Sequence, residues 1–492
     1  MTKILDTCNR FVWGVPLLLL IVAVGTYLTI RTGFAQFTLF PKAIKSFLAR
    51  FSGKGNGNRN WSSYRSLCTA LAATVGTGNL AGVAGAIAIG GPGAVFWMWI
   101  CALLGMIIKF AEATLCVHFR VRNSCGEWTG GPMYMIQNGL PKRLRFLGTI
   151  YCFFGVIAAF GVGNATQINT VINSVNGIVT SFHISPSVTG NLAMGLVLAV
   201  LIGSVLMGGA ERIGAMAESI VPFAAVFYLV LGIGVLFARG SAIPHALASI
   251  CKGAFSPSAV TGGIAGSAFS AVRIGASRGV FTNEAGMGTA GIAHSSAQVD
   301  HPVHQGLMGI VEVFLDSIVI CTMTALVILC SGVPIQYGTD TGITLTEQAF
   351  SVIYGMWVRI PLSLVICCLA VATVFGWGLY GNRCAEYLFG CKAQKPFAIL
   401  QTAAIVLSSV LKTGTVWTLA ELVNGLMAIP NLVAILWLSP LLIQLVNSYY
   451  QQSGRRSAIG GTYENIHQCQ SMRTFSYEKV PSLGCQGKEA GN

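Results

Sequence analysis

Residues 73–82 read ATVGTGNLAG, and they sit inside a run from Ser66 to Ile108 that holds no Asp, Glu, Lys or Arg. Glycine and asparagine are poor helix residues, so an apolar run long enough for two membrane helices is broken within the first of them. Gly76-Thr77-Gly78-Asn79-Leu80-Ala81 fits the dinucleotide pattern GxGxxG/A. That pattern works after a strand, at a helix start, with an acidic residue about 20 positions on. Here the flanks are apolar and the next acidic residue is Glu112, which excludes it. Close helix packing through small residues, such as Gly78-x-x-x-Gly82, explains some of the glycines but not Thr-Gly-Asn together at mid-span. A discontinuous helix explains all of them. Irregular backbone at membrane depth survives only where it is buried in protein or lines a wet cavity. Freed N–H groups at a half-helix N-terminus favour an anion, and freed carbonyls can hold a cation.

The composition agrees. Of 492 residues, 54% are hydrophobic and 9% charged, and the mean hydropathy is +0.69, whereas a soluble domain carries about 25% charged residues. At roughly 20 apolar residues per span, the chain holds eleven candidate spans near 12–32, 66–90, 93–119, 147–176, 187–208, 213–238, 258–293, 305–331, 360–388, 397–412 and 415–446. The first run is too long for a signal-peptide core and reads as a retained helix. Lys and Arg gather in alternate loops: Arg31, Lys42, Lys45, Arg50, Lys54, Arg59 and Arg65, then Arg120, Arg122, Lys142, Arg143 and Arg145, then Lys392 and Lys395, then Arg455 and Arg456. By the positive-inside rule these face the cytoplasm, which puts the N-terminus outside and the C-terminus inside. The net charge of +14 follows from that asymmetry, and its spread over loops argues against a nucleic-acid face. The fifteen cysteines are scattered, odd in number and free of CxxC spacing, as expected of buried free thiols. The polar tail 449–492 reads as a disordered cytoplasmic extension.

A discontinuous helix of this kind calls for a partner, because transporters built from inverted repeats interrupt corresponding helices in both halves. Residues 280–288, VFTNEAGMG, lie five spans later and carry two glycines, an asparagine and a glutamate. With residues 1–65 set aside as an extra helix and basic loop, 66–238 and 258–446 divide into five plus five spans. The break falls in the first helix of each set. This is the LeuT-type inverted-repeat arrangement of an all-α integral membrane protein.

The chain resembles the alanine or glycine:cation symporters. The resemblance rests on TALAATVGTGNLAGVAGAIAIGGPGAVFWMW (69–99), GGPMYMI (130–136), RGVFTNEAGMG (278–288), CTMTALVIL (321–329), FGWGLYG (375–381) and NGLMAIPNL (424–432). It implies import of alanine, D-alanine or glycine with sodium as coupling ion, no other cofactor, a functional monomer in the bilayer, and a bacterial plasma-membrane address. Carried over by resemblance, the Thr77 and Gly78 N–H groups receive the substrate carboxylate, and Asn79 borders substrate and cation. Carbonyls of Ala72 and Val75 line a sodium site, with Thr373 on the opposite wall. Phe281, Thr282 and Asn283 face the substrate ammonium and side chain, and Trp377 acts as a lid against bulky side chains. Gln167 either lines the pocket or bonds a neighbouring helix.

Ionisable groups within spans cost roughly 2.5–3.5 kcal/mol or more each unless paired. Glu284 reads as a cap, a gate, an ion-coupling group or a partner of Arg278, and Asp316 as a gate or a sodium-site ligand. Lys109 and Glu112, three apart, read as a local pair. His294, His301 and His304 beside Asp300 read as a solvated loop. No catalytic constellation stands in a suitable context, so an enzyme is not expected. A proton-coupled symporter and a non-transporting amino-acid sensor are the alternatives.

Overall fold

The computed structural model describes residues 7–9, 11–49, 57–124, 126–256, 268–339, 342–411 and 413–452. The start of the seventh expected span, Asp340, the loop residues Arg50 and Lys54 and the tail from residue 453 lie outside the described residues. The first half contains α1 (Val15–Arg31), α2 (Gly57–Thr74), α3 (Val83–Gly90), α4 (Gly93–His118), α5 (Phe146–Phe160), α6 (Thr166–Ser181), α7 (Val188–Leu206) and α8 (Gly209–Ala238). The second contains α9 (Ala268–Asn283), α10 (Thr289–His294), α11 (Pro302–Val313), α12 (Cys321–Ser331), α13 (Arg359–Phe389), α14 (Gln394–Ser408), α15 (Thr413–Trp437) and α16 (Ser439–Gln452). Among the described residues six helical stretches are long and apolar enough to cross a membrane, or eight if each of two bent pairs is one span.

Both expected interruptions are present. The helix pair Ser62–Thr74 and Gly78–Gly90 bends by 49°, and α9 stops at Asn283, with five residues between it and the start of α10. Three stretches inside spans relax into π-helix: Gly78–Gly82, Gly161–Ala165 between α5 and α6, and Phe314–Ile320 between α11 and α12. Such bulges widen the turn and leave a backbone group re-aimed, commonly at functional sites.

The last expected span, 415–446, is not one helix. It bends by 61° between α15 and α16. Pro440 has no N–H to continue the ladder, and the Ser439 hydroxyl donates to Leu436 O at 2.8 Å in its place. Several expected loops also contain short helices: Phe40–Leu48, Pro132–Gly139, Ile243–Phe255 and Ile343–Tyr354. The last reaches inward, where Thr346 Oγ1 donates to Leu80 O at 3.1 Å beside the first break.

Without a hydrophobic force between helices in lipid, close packing has to hold the bundle together, and small residues permit it. A Cβ on Gly309 would stand 2.9 Å from the Lys109 carbonyl oxygen, and one on Gly376 would stand 2.8 Å from the Ala73 Cβ. A Cβ on Gly93 would overlap the backbone of Gly253 and Ala254, which cannot move aside as a side-chain tip can. Gly93→Ala is therefore expected to lower the thermal stability of the detergent-solubilised protein, overpacking costing about 1–3 kcal/mol. Gly177→Ala has nothing within 4 Å of the new methyl and gains helix propensity of about 1 kcal/mol, so its melting temperature should hold or rise. Equal melting temperatures for the two variants would refute the packing account.

Candidate functional site

At the first break the Val75 N–H makes the last regular bond, to Leu71 O at 2.7 Å. The next donor, Gly76 N–H, does not continue to Ala72; it bonds Asn79 Oδ1 at 2.8 Å. A side-chain oxygen thus replaces a helical acceptor, and the Ala72 carbonyl loses its usual donor. Gly76 is required by space, since a Cβ there would lie 2.6 Å from Thr373 Oγ1. Thr373 itself donates to Leu369 O at 3.0 Å. The three groups expected at a cation site, Ala72, Val75 and Thr373, are all buried, with α13 laid directly against the break.

Beyond the break, Thr77 Oγ1 donates to Gln167 Oε1 at 3.3 Å, just after the π-helical turn of the fourth span. Gln167 Nε2 donates to Val162 O at 3.2 Å, so this side chain both reaches the break and bonds its own helix. A Cβ on Gly78 would sit 3.6 Å from Thr282 Cα; the two interrupted helices therefore meet here. Gly78, Ala81 and Phe281 are only half-buried, so this face is not sealed by neighbouring helices.

Asp316 joins the two breaks. Its Oδ1 accepts from Asn79 Nδ2 at 2.7 Å. Its Oδ2 accepts from Ser317 Oγ at 2.8 Å, and that hydroxyl in turn accepts from Asn283 Nδ2 at 3.1 Å. Asn79, Asn283, Asp316 and Ser317 are all buried. Ser317 is not singled out by the sequence. Its only signal there is its place next to Asp316.

The second break is a turn of positive backbone angles: Glu284 at φ +53°, Gly286 at +94° and Gly288 at +78°. Glycine adopts such angles freely, and glutamate does so only under constraint. The constraint is visible. Glu284 Oε1 accepts the Trp377 indole N–H at 3.0 Å, and Oε2 accepts from the Thr289 hydroxyl at 2.6 Å. Glu112 Oε1 accepts the N–H groups of Gly286 at 2.8 Å and Gly288 at 3.1 Å, and Asn431 Nδ2 at 2.8 Å. The carboxylate of Glu112 and the amide of Asn431 thus satisfy a turn that has no helix to do so.

Several expectations about charge are corrected. Lys109 pairs with Glu312 at 3.2 Å and not with Glu112, because Glu112 is turned toward the second break. Arg278 pairs with Glu421 at 3.3 Å, leaving Glu284 to Trp377 and Thr289. His294 is fully buried, with Nε2 2.9 Å from Glu312 Oε2 and Nδ1 2.6 Å from Gln305 Nε2; it belongs to the core and not to a solvated loop. His301 caps α11 by accepting the Val303 N–H at 3.3 Å, and His304 lies edge-on to Tyr449. Burial holds the His301 imidazole below its usual titration range.

The structure brings Thr77, Gly78, Asn79, Gln167, Thr282, Asn283, Asp316 and Thr373 into one neighbourhood. Trp377 is fully buried and tied to Glu284, with Phe281 at the half-open face. A predominantly helical membrane protein with two interrupted helices meeting at a shared polar site has the fold of the LeuT-type transporters. Its fold is similar to that of MhsT, solved in complex with L-phenylalanine, with a TM-score of 0.51 and 13% identity over 78% of this chain and 97% of that one. The chain belongs to the sodium:alanine symporter family, whose model matches residues 1–459. It is 40% identical to the sodium/alanine symporter AgcS of Methanococcus maripaludis over 91% of this chain and 97% of that protein. It is 35% identical to the probable sodium/glutamine symporter GlnT of Bacillus subtilis over 91% of each. Members of this family carry amino acids with cations; they are not enzymes.

Replacing Asn79 by alanine leaves the buried Gly76 N–H without its acceptor and Asp316 without its closest donor. Each unpaired buried group costs about 1–3 kcal/mol. Asn79→Ala is expected to lower the melting temperature of the ligand-free protein, while an exposed change such as Ser204→Ala leaves it unmoved. An unchanged melting temperature in Asn79→Ala would remove the capping role assigned to that side chain.

Proposed function

We propose that the protein imports a small neutral amino acid, alanine, D-alanine or glycine, in symport with sodium, by alternating access around the two breaks. The observation that carries this reading is the Asn79–Asp316–Ser317–Asn283 chain of hydrogen bonds, which ties the first break to the second. A ligand that orders one break is thereby felt at the other. Sodium is held by the carbonyls of Ala72 and Val75 and the hydroxyl of Thr373, unwound carbonyls being the usual cation ligands of broken transporter helices. The substrate carboxylate meets the N–H groups of Thr77 and Gly78 at the start of the second half-helix, where the dipole is positive. Thr282, Asn283 and Phe281 face the rest of the substrate, and Gln167 positions Thr77. Asp316, buried between the breaks with no cationic partner among the described residues, is a second group suited to couple a cation.

Sodium appears in the names of both relatives, and alanine in that of the one with the higher identity. The basic loops face the cytoplasm, the N-terminus lies outside, and one protomer suffices for transport. Binding linkage is reciprocal, so sodium and amino acid each tighten the other.

The test is uptake of labelled alanine and glycine into proteoliposomes, with and without an inward sodium gradient at fixed pH and potential. Accumulation that follows the sodium gradient supports the proposal. Accumulation driven by a proton gradient alone transfers the coupling role to a carboxyl group, and saturable binding without uptake makes the protein a sensor. Thr373→Ala is expected to raise the sodium concentration for half-maximal uptake about tenfold, a loss of ~1.4 kcal/mol, with substrate preference retained. Trp377→Ala should do the reverse, admitting larger amino acids at little change in sodium dependence. Identical behaviour of the two variants would refute this division of roles.

A further inference from the structure

Behind the second break lies a cluster whose charges do not balance. Glu112, Glu284, Glu312 and Asp316 are all buried, and Lys109 is the fixed cation among them. The Lys109 ammonium is committed to Glu312 at 3.2 Å. His294 lies between Gln305 and Glu312. Ser63 donates to Gln305 Oε1, which turns Gln305 Nε2 toward His294 Nδ1. On its other side, His294 Nε2 lies 2.9 Å from Glu312 Oε2. Four ionised carboxylates against one lysine ammonium would leave an excess of negative charge in the membrane interior, which is costly unless protons or bound cations lessen it.

The hydrogen bonds distinguish the carboxyl groups. Glu112 Oε1 takes three N–H donors. Asp316 takes donors on both oxygens. Glu284 differs. It receives one N–H, from Trp377, and its other oxygen lies 2.6 Å from the Thr289 hydroxyl, which can accept as well as donate. No Lys, Arg or His among the described residues pairs with Glu284. It faces Lys109 and Glu312 only across the cluster, with the buried phenol of Tyr380 on the α13 side. It is also the non-glycine residue of the break held at positive φ, so its side-chain bonds are what keep the turn in this form.

We propose that Glu284 is a proton-binding site: in this conformation its carboxyl group is protonated, with Oε2–H donating to Thr289 Oγ1 and Oε1 accepting from Trp377. Loss of that proton places a carboxylate next to Asn283 with no cation paired to it and weakens the turn. Transport then carries a pH dependence, falling as the pH rises and Glu284 ionises. That consequence rests on the symport reading above, whereas the protonation itself does not.

The primary test is infrared difference spectroscopy of the full-length purified protein near neutral pH in H2O and D2O. The expected result is a carbonyl stretch of a protonated carboxyl that disappears in Glu284→Gln and persists in Glu112→Gln. Thr289→Val, which removes the acceptor and keeps the acid, should move the band to higher frequency, and it carries the test if Glu284→Gln does not fold. Absence of the band, or a band indifferent to both Glu284→Gln and Thr289→Val, overturns the proposal. Uptake measured from mildly acid to mildly alkaline pH supplies the second readout: the several-fold fall expected of the wild type should flatten in Glu284→Gln. A band that behaves as expected in a protein without uptake upholds the proton site and refutes the symport reading; sodium-driven uptake without the band does the opposite.

Discussion

Within a bilayer every backbone N–H and C=O must find a partner inside the protein, and this chain interrupts two helices where water is scarce. The organisation of the interior follows from that demand. At the first break one asparagine oxygen answers the Gly76 N–H; at the second one glutamate oxygen answers two glycine N–H groups. Both solutions use side chains because the regular helical acceptor has been given up. What has been given up in return is the usual donor to the Ala72 carbonyl, since the Gly76 N–H turns to Asn79.

The polar interior has to be surrounded by close-packed helices, since each unsatisfied group costs far more there than in water. Glycines at the α4–α11, α2–α13 and α4–Ile243–Phe255 contacts let backbones approach within side-chain distance. The α4 helix is the common neighbour. Its Lys109 reaches α11 and its Glu112 reaches the second break, so one turn of helix holds both the ion pair and the turn in register.

The two breaks are joined by a short path of hydrogen bonds and not by a distant relay. Asp316 lies in a π-helical turn, where the widened backbone turns both its carbonyl and its carboxylate toward Asn79. Rearrangement at either break must therefore change the hydrogen bonds of the other, which is the physical content of linkage between two ligands. Glu284 adds a second sensitivity, to protons, at the point where the backbone is most constrained.

Much of this organisation is legible in the order of the amino acids. Charge-free runs mark the spans, and the Gly-Thr-Gly-Asn and Asn-Glu-Ala-Gly segments mark the breaks, because composition and local spacing act within a few residues. The residues expected at the site lie around those segments. The partners of the buried charges are not legible in this way. Lys109 and Glu112 look like a pair at three residues' spacing, yet Glu112 bonds Asn431, 319 positions away. His294 looks like part of a loop until Glu312 and Gln305 close around it. The bend at Leu438 and the inward helix Ile343–Tyr354 likewise depend on what packs against them. The sequence by itself determined that the chain is a helical membrane protein and where two helices must fail. Tertiary structure alone decided which side chain repairs each failure, because that choice is set by distances across the bundle, which no local pattern encodes.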